Sequence, residues 1–364
     1  HHISEPAIGT GVTAYIIDTG VRSSHLEYRW RVGAGFTAFA DGWGTGDCNG
    51  HGTHVAGTVA GTSVGVAPGA TIVPVRVLGP AIYDSDLDEF TCDGIGWSST
   101  VISGINWMIT DHLAGAPAVA NLSLGGSYSE AINTAVAAAT ADGITMVVAA
   151  GNSGKDACGA SPASAPSAIT VGATDETDSR ASFSNWGSCV DLFAPGVDIV
   201  SASAATSSGY SLKSGTSMAA PHVAGAAAVL LSYGYTSANV TNGLLANATL
   251  DAVVDPGSCS PNALLSLAEL ATIAVPTTTP SIPRICPPPD VGTDSAAPVS
   301  DEPAPAPTIV PATLTRVRAT FRSERSAPSR GAYTVSARAS HPGTVVLRVT
   351  LPPKAKRRRP LVLT

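Results

Sequence analysis

Four polar residues stand in short strings whose residue types match nucleophilic acyl transfer. Ser217 lies in Ser214-Gly-Thr-Ser-Met-Ala-Ala-Pro-His-Val-Ala-Gly225, where a helix is expected to begin. A serine at a helix start keeps its own N–H free, and the helix dipole favours negative charge beside it. Its bland alternative is an N-cap. His51 lies in Asp47-Cys-Asn-Gly-His-Gly-Thr-His-Val-Ala-Gly57, with Gly50 and Gly52 leaving space around the ring. The pair His51 and His54 has no Glu between its members and no evident third ligand, which argues against zinc. His54 reads as structural. Asp18 closes the apolar run Tyr15-Ile-Ile-Asp-Thr-Gly20. Alone it would be a turn or cap former. Asn152, in Ala149-Ala-Gly-Asn-Ser-Gly154, follows another apolar run and alone would be a turn residue. Hydroxyl, base, orienting carboxylate and oxyanion donors are what serine chemistry on an acyl carbon requires.

These residues need rigid elements behind them. Residues 12–17, 72–78 and 144–150 are apolar runs that predict buried strands. Residues 51–61, 98–112 and 129–141 predict helices, the last with Glu130 early and Gly143 just beyond it. Alternating strands and helices imply a parallel sheet covered on both faces, with its site at the carboxyl ends of the strands. Asp18, Ser123 and Asn152 all fall just there. A further helix is predicted over 217–231, with Pro221 in its first turn, where a missing N–H costs least.

Charge divides the chain. Residues 1–272 carry 22 acidic against 7 basic side chains, whereas residues 306–364 carry one acid, Glu324, against 12 bases. So unequal a balance argues against one domain. Three parts are expected: a catalytic domain over 1–275, a Pro/Ala/Thr-rich linker over 276–311, and a basic, incomplete β-rich tail over 312–364. Period-2 alternation in the tail predicts a few antiparallel strands. The run Lys354-Ala-Lys-Arg-Arg-Arg359 reads as a solvated charge run, and no nucleic-acid partner is expected. No apolar run approaches the roughly 18 residues of a membrane span. The chain opens at His1-His2, so export and processing segments are expected to lie outside it. Six cysteines permit 15 pairings.

Asp-Thr-Gly, then His-Gly-Thr-His, then Gly-Thr-Ser-Met-Ala, in that order, resemble the subtilisin-like serine proteases, in particular the proteinase K-like branch with its secreted bacterial members. The resemblance covers residues 11–272. It implies an α/β, three-layer fold with a mainly parallel central sheet and a secreted, monomeric serine endopeptidase acting on proteins and peptides. It gives Asp18, His51 and Ser217 the triad roles and Asn152 the oxyanion role. Asn121-Leu-Ser-Leu-Gly-Gly126 resembles the strand that pairs with an extended substrate, and Gly94-Ile-Gly96 the opposite wall. Ser123, Leu124, Gly125, Ala149 and Gly151 would line the pocket for the residue before the scissile bond. That lining carries no charge, so apolar or aromatic residues are expected there. The resemblance pairs Cys48 with Cys92 and Cys158 with Cys189, leaving Cys259 and Cys286 as the expected third pair. It also implies structural calcium, held by Asp191 and the carbonyls of Pro166 and Ala168.

Three departures stand out. Only 17 residues precede Asp18, Ala220 replaces the family's usual Thr or Ser, and residues 79–91 form an acidic insertion before Gly94.

Overall fold

A computed structural model describes residues 8–80, 92–268 and 270 in full. It adds the backbone of Ile82–Asp84 and Glu89–Thr91 and of four short strands near the C-terminus. The chain divides into two units, His1–Val291 and Gly292–Thr364.

In the first unit β1 (Thr13–Asp18) and β2 (Phe36–Thr37) precede α1 (His51–Ala60) and β3 (Thr71–Arg76). A hairpin of β4 (Ile82–Asp84) and β5 (Glu89–Thr91) leads to α2 (Ser98–Asp111), β6 (Ala118–Leu122) and β7 (Gly126–Ser127). Then come α3 (Glu130–Ala141), β8 (Thr145–Ala149), β9 (Ala160–Ser161), β10 (Ile169–Thr174) and β11 (Leu192–Pro195). The unit closes with the hairpin β12 (Ile199–Ala202) and β13 (Tyr210–Lys213), α4 (Thr216–Ser232), α5 (Val240–Asn247), β14 (Thr249–Leu250) and β15 (Ala263–Leu264).

Nine strands form one sheet in the order β14-β15-β11-β10-β8-β6-β1-β3-β2. All pairings are parallel except β14 with β15. Both faces are covered, so the strands are apolar on both sides rather than alternating with polar residues. Within β1, Ala14 and Ile16 join a core cluster with Val55 and Val59 of α1 and Val223 of α4. Tyr15 and Ile17 point the other way, into a cluster with Ile105 of α2 and Val136 of α3. Ser129 caps α3, its side chain accepting the Ile132 N–H at 3.4 Å, with acidic Glu130 in the first turn.

The expected three-layer α/β architecture is therefore present. Strand β1 has β3 on one side and β6 on the other. The chain leaves β1 through α1 toward β3, then crosses through α2 to β6. Such a reversal opens a crevice at the carboxyl ends of the strands. Asp18 is the last residue of β1, and Ser123 directly follows β6.

Helix α4 runs through the core, with Met218 through Pro221 and Val223 through Leu231 all buried. It begins one residue earlier than expected, and Pro221 is its sixth residue, in the second turn rather than the first. The expectation of a harmless first-turn proline is corrected here. In the interior a proline removes one helical hydrogen bond.

Cys48 is bonded to Cys92 and Cys158 to Cys189, with Cα atoms 5.8 and 5.3 Å apart. Cys259 is also disulfide-bonded. Its expected partner, Cys286, lies outside the described residues, as do residues 85–88 of the acidic insertion and the charge run 354–359. In the second unit β16 (Val317–Arg318) pairs antiparallel with β19 (Val362–Leu363), and β17 (Ala332–Arg338) with β18 (Thr344–Thr350). Among the described residues no helix is long and apolar enough to cross a membrane.

Candidate active site

The crevice brings the sequence-nominated residues together. Asp18 is fully buried at the end of β1, and its Oδ1 accepts the Thr19 N–H at 2.7 Å. The same oxygen lies 2.7 Å from His51 Nδ1. A carboxylate only accepts, so Nδ1 carries the proton and the neutral ring keeps a lone pair on Nε2. Burial pulls the His51 pKa down. The negative charge of Asp18 and the hydrogen bond to it, with help from Asp47, outweigh burial and the opposing charge of Lys213, and the net direction is up.

The close approach of α1 to β1 explains one glycine. A Cβ on Gly52 would stand 2.2 Å from Gly20 O and 3.2 Å from Asp18 Oδ1. The space Gly52 leaves therefore serves Asp18 and its turn rather than the imidazole ring.

Asp47 holds the start of α1, a role the sequence reading missed. Its Oδ1 accepts from Thr19 Oγ1 at 2.9 Å, Asn49 N at 3.1 Å and Gly50 N at 2.7 Å. Its Oδ2 accepts from Thr53 N at 2.8 Å and Thr53 Oγ1 at 2.6 Å. This buried carboxylate thus takes five donors, three backbone N–H groups at and before the helix entrance and two hydroxyls, and the Thr53 N–H is one of the first-turn groups with no partner inside α1. The sequence signal was an acid four residues before a glycine-flanked histidine.

His54 sits one turn beyond His51. Its Nε2 faces two carbonyls, Ile199 O and Ser211 O, each at 3.0 Å. It is a neutral donor that ties α1 to the β12–β13 hairpin. Burial drives its pKa down to about 4, although the two carbonyls oppose the shift. The structural reading of His54 fits this geometry.

Ser217 is the second residue of α4, so its N–H is among the first-turn donors that have no partner inside the helix. Its Oγ donates to Ser123 O at 3.2 Å, and Ser123 Oγ donates back to Ser217 O at 2.7 Å. The Ser217 hydroxyl proton is therefore given to a backbone carbonyl. His51 and Ser217 line one cavity of about 470 Å³, together with Gly94, Ile95, Gly96 and Trp97 on one segment and Ser123, Leu124, Gly125 and Gly126 on another. Both segments nominated as substrate walls thus face one cleft.

Asn152 meets Ser217 in a second pocket of about 210 Å³, lined also by Leu124, Gly125, Ala149, Ala150, Gly151, Ala160, Ala163 and Thr216. Asn152 Oδ1 accepts Thr216 N at 2.8 Å and Thr216 Oγ1 at 2.9 Å. The acceptor end of the amide is thus committed to α4, and Nδ2 remains to donate. Gly151 takes φ +102°, and a Cβ there would meet Asn185 Nδ2 at 2.5 Å. The conformation and the tight packing both call for glycine. Thr216, Ala160 and Ala163 were not nominated from sequence. Short polar and small apolar residues carry little signal until the fold gathers them.

The residues nominated for calcium lie elsewhere. Strand β10 pairs with β11 so that Val171 faces Leu192, which sets Asp191 beside Thr170. Asp191 Oδ2 accepts the Thr170 N–H at 2.9 Å. Pro166 and Ala168 belong to the turn that enters β10. One carboxylate and two backbone carbonyls are hard oxygen donors, which suits calcium and not a softer ion. Among the described residues no three His, Cys, Asp or Glu side chains gather as a metal cluster. A site here would depend on those carbonyls.

A sequence profile described as Peptidase_S8: Subtilase family matches residues 9–266. The extracellular serine proteinase of Thermus sp. (strain Rt41A) is 51% identical over 261 residues, covering 71% of this chain and 60% of that protein. The alkaline serine exoprotease A of Vibrio alginolyticus is 50% identical over 223 residues, covering 61% of this chain and 39% of that one. The chain thus spans 60% or less of the length of these two relatives. A crystal structure of a cold adapted subtilisin-like serine proteinase superposes with a TM-score of 0.65 at 46% identity, over 74% of this chain and 91% of that chain. By the profile match over most of its length, the identities and the shared fold, this chain belongs to the subtilase family.

Proposed function

We propose that the chain is a secreted serine endopeptidase that cleaves peptide bonds through an acyl-enzyme. The observation that carries this reading is the 2.7 Å bond from His51 Nδ1 to buried Asp18, in a cleft that also presents Ser217. In the reaction Ser217 Oγ leaves Ser123 O, passes its proton to His51 Nε2 and bonds to the scissile carbonyl carbon. The oxyanion takes the Ser217 N–H and Asn152 Nδ2. Asp18 stabilises the imidazolium, which then protonates the leaving amine. Water repeats the sequence and releases the acid.

Specificity follows from the pockets. The 210 Å³ pocket is walled by Gly, Ala and Leu residues with Asn, Ser and Thr, and carries no charged side chain, which favours an apolar or aromatic residue before the scissile bond. The segments Gly94–Gly96 and Ser123–Gly125 would hold the substrate between them as an added strand. Secretion agrees with the name of the Thermus relative and with the disulfides. Calcium at Asp191, Pro166 and Ala168 would stabilise the fold without entering the chemistry. The catalytic domain is taken as 1–275, with 276–311 a linker and 312–364 a separate tail, and the enzyme acts as a monomer on proteins and peptides.

Hydrolysis of casein and of a chromogenic peptide ending in an aromatic residue, before and after a serine-directed inhibitor, tests this reading. Cleavage abolished by the inhibitor is expected. Undiminished cleavage would refute it.

A further inference from the structure

Pro221, the sixth residue of α4, has no N–H. In a regular helix the N–H of residue 221 would bond the carbonyl four residues earlier, which belongs to Ser217. The proline ring also crowds that carbonyl. A buried carbonyl left without a partner is destabilising. Here a side chain from a different element supplies the donor: Ser123 Oγ bonds Ser217 O at 2.7 Å. Asn121 Nδ2, at the end of β6, donates to Ser123 Oγ at 2.8 Å and fixes its direction. Asn121, Ser123 and Pro221 are all buried.

We propose that Ser123 is a positioning residue whose hydroxyl replaces the helical hydrogen bond that Pro221 removes, and so fixes the backbone that aims Ser217 Oγ and its N–H. This rests on the acyl-transfer reading above. Substrate would meet the Ser123 main chain, whereas the side chain is already engaged with Ser217 and Asn121. The two roles of one residue are therefore separable by substitution.

The experiment compares Ser123→Ala, Pro221→Ala and the double variant with the wild type and with Ser217→Ala, on a chromogenic apolar peptide. Ser123→Ala is expected to lower kcat by about 10- to 100-fold, as a small displacement of a reacting group does, with KM little changed. The double variant is expected to recover most of that kcat, because the new N–H at position 221 takes the Ser217 carbonyl. An unchanged kcat in Ser123→Ala overturns the proposal, as do losses that multiply in the double variant. If Ser123→Ala does not fold, a folded and active double variant supports the proposal and an unfolded one overturns it. Equal hydrolysis by the wild type and Ser217→Ala would refute the acyl-transfer reading and this proposal with it. A loss confined to Ser217→Ala would refute this proposal alone.

Discussion

Thr216 gives both its N–H and its hydroxyl to Asn152 Oδ1, at 2.8 and 2.9 Å. The same Oγ1 accepts the Gly151 N–H at 3.1 Å, so α4 and the turn after β8 are locked together around one amide. Asn152→Leu is expected to lower kcat by about 10²–10³, the range known for such a donor in this family, with KM nearly unchanged. Thr216→Val removes the hydroxyl but keeps the N–H, so its loss should be smaller and of the same kind. Steady-state kinetics on one peptide check both. Wild-type kcat in the Asn152→Leu variant would remove Asn152 from the oxyanion site.

The two histidines of α1 answer pH in opposite ways. Burial lowers the His51 pKa, but the charge of Asp18 and the bond to it leave it above the ordinary 6.5. Activity needs the neutral ring, so kcat/KM should rise with pH through a value above 6.5. The protonated pair stabilises the fold fully below the unfolded value, and that contribution fades as pH rises through the raised one. His54 is held down to about 4 by burial, against an unfolded value near 6.5. Unfolding then takes up a proton, and this group costs stability as pH falls from 6.5 toward 4. Melting temperatures over that window should fall less steeply in His54→Gln than in the wild type, since the amide nitrogen donates without titrating. Equal slopes would contradict the assignment.

Much of this arrangement was legible in the sequence, for a physical reason. Asp18, His51, Ser217 and Asn152 each sit at an element boundary marked by glycine and an apolar run, so local pattern exposed them. Asp47 did not stand out because a lone acid before a glycine reads as an ordinary turn former, although most of its bonds are local. Thr216 and the Ser123 hydroxyl did not because their partners lie far along the chain. Thr216 meets Asn152 across 64 positions and Ser123 meets Ser217 across 94. Pro221 was misplaced for a smaller reason. Even in a helix beginning at Ser217 it is the fifth residue, past the four first-turn N–H groups that lack a partner.

Calcium should act on stability rather than on chemistry. An ion that binds only the folded chain stabilises it by about 2.7 kcal/mol at 100 times its dissociation constant. Adding calcium to chelator-treated protein should raise Tm, and Asp191→Asn should abolish that gain while leaving initial rates at low temperature unchanged. A Tm indifferent to calcium would rule out the site.

The C-terminal part should be dispensable for hydrolysis of small peptides. A chain ending at Pro287 keeps Cys286 and the whole segment that matches the subtilase profile. It should retain kcat/KM on a short chromogenic peptide. A soluble truncated product without activity would show that the tail belongs to the catalytic domain.

The central claim is that Ser217 is the group acylated during turnover. It is tested most directly by treating the protein with a fluorophosphonate and locating the added mass by peptide mapping, with Ser217→Ala in parallel. The account predicts one label per chain, on Ser217, with peptide hydrolysis lost in step with labelling, and neither label nor hydrolysis in Ser217→Ala. Stoichiometric labelling at another residue, or hydrolysis persisting in Ser217→Ala, would contradict it.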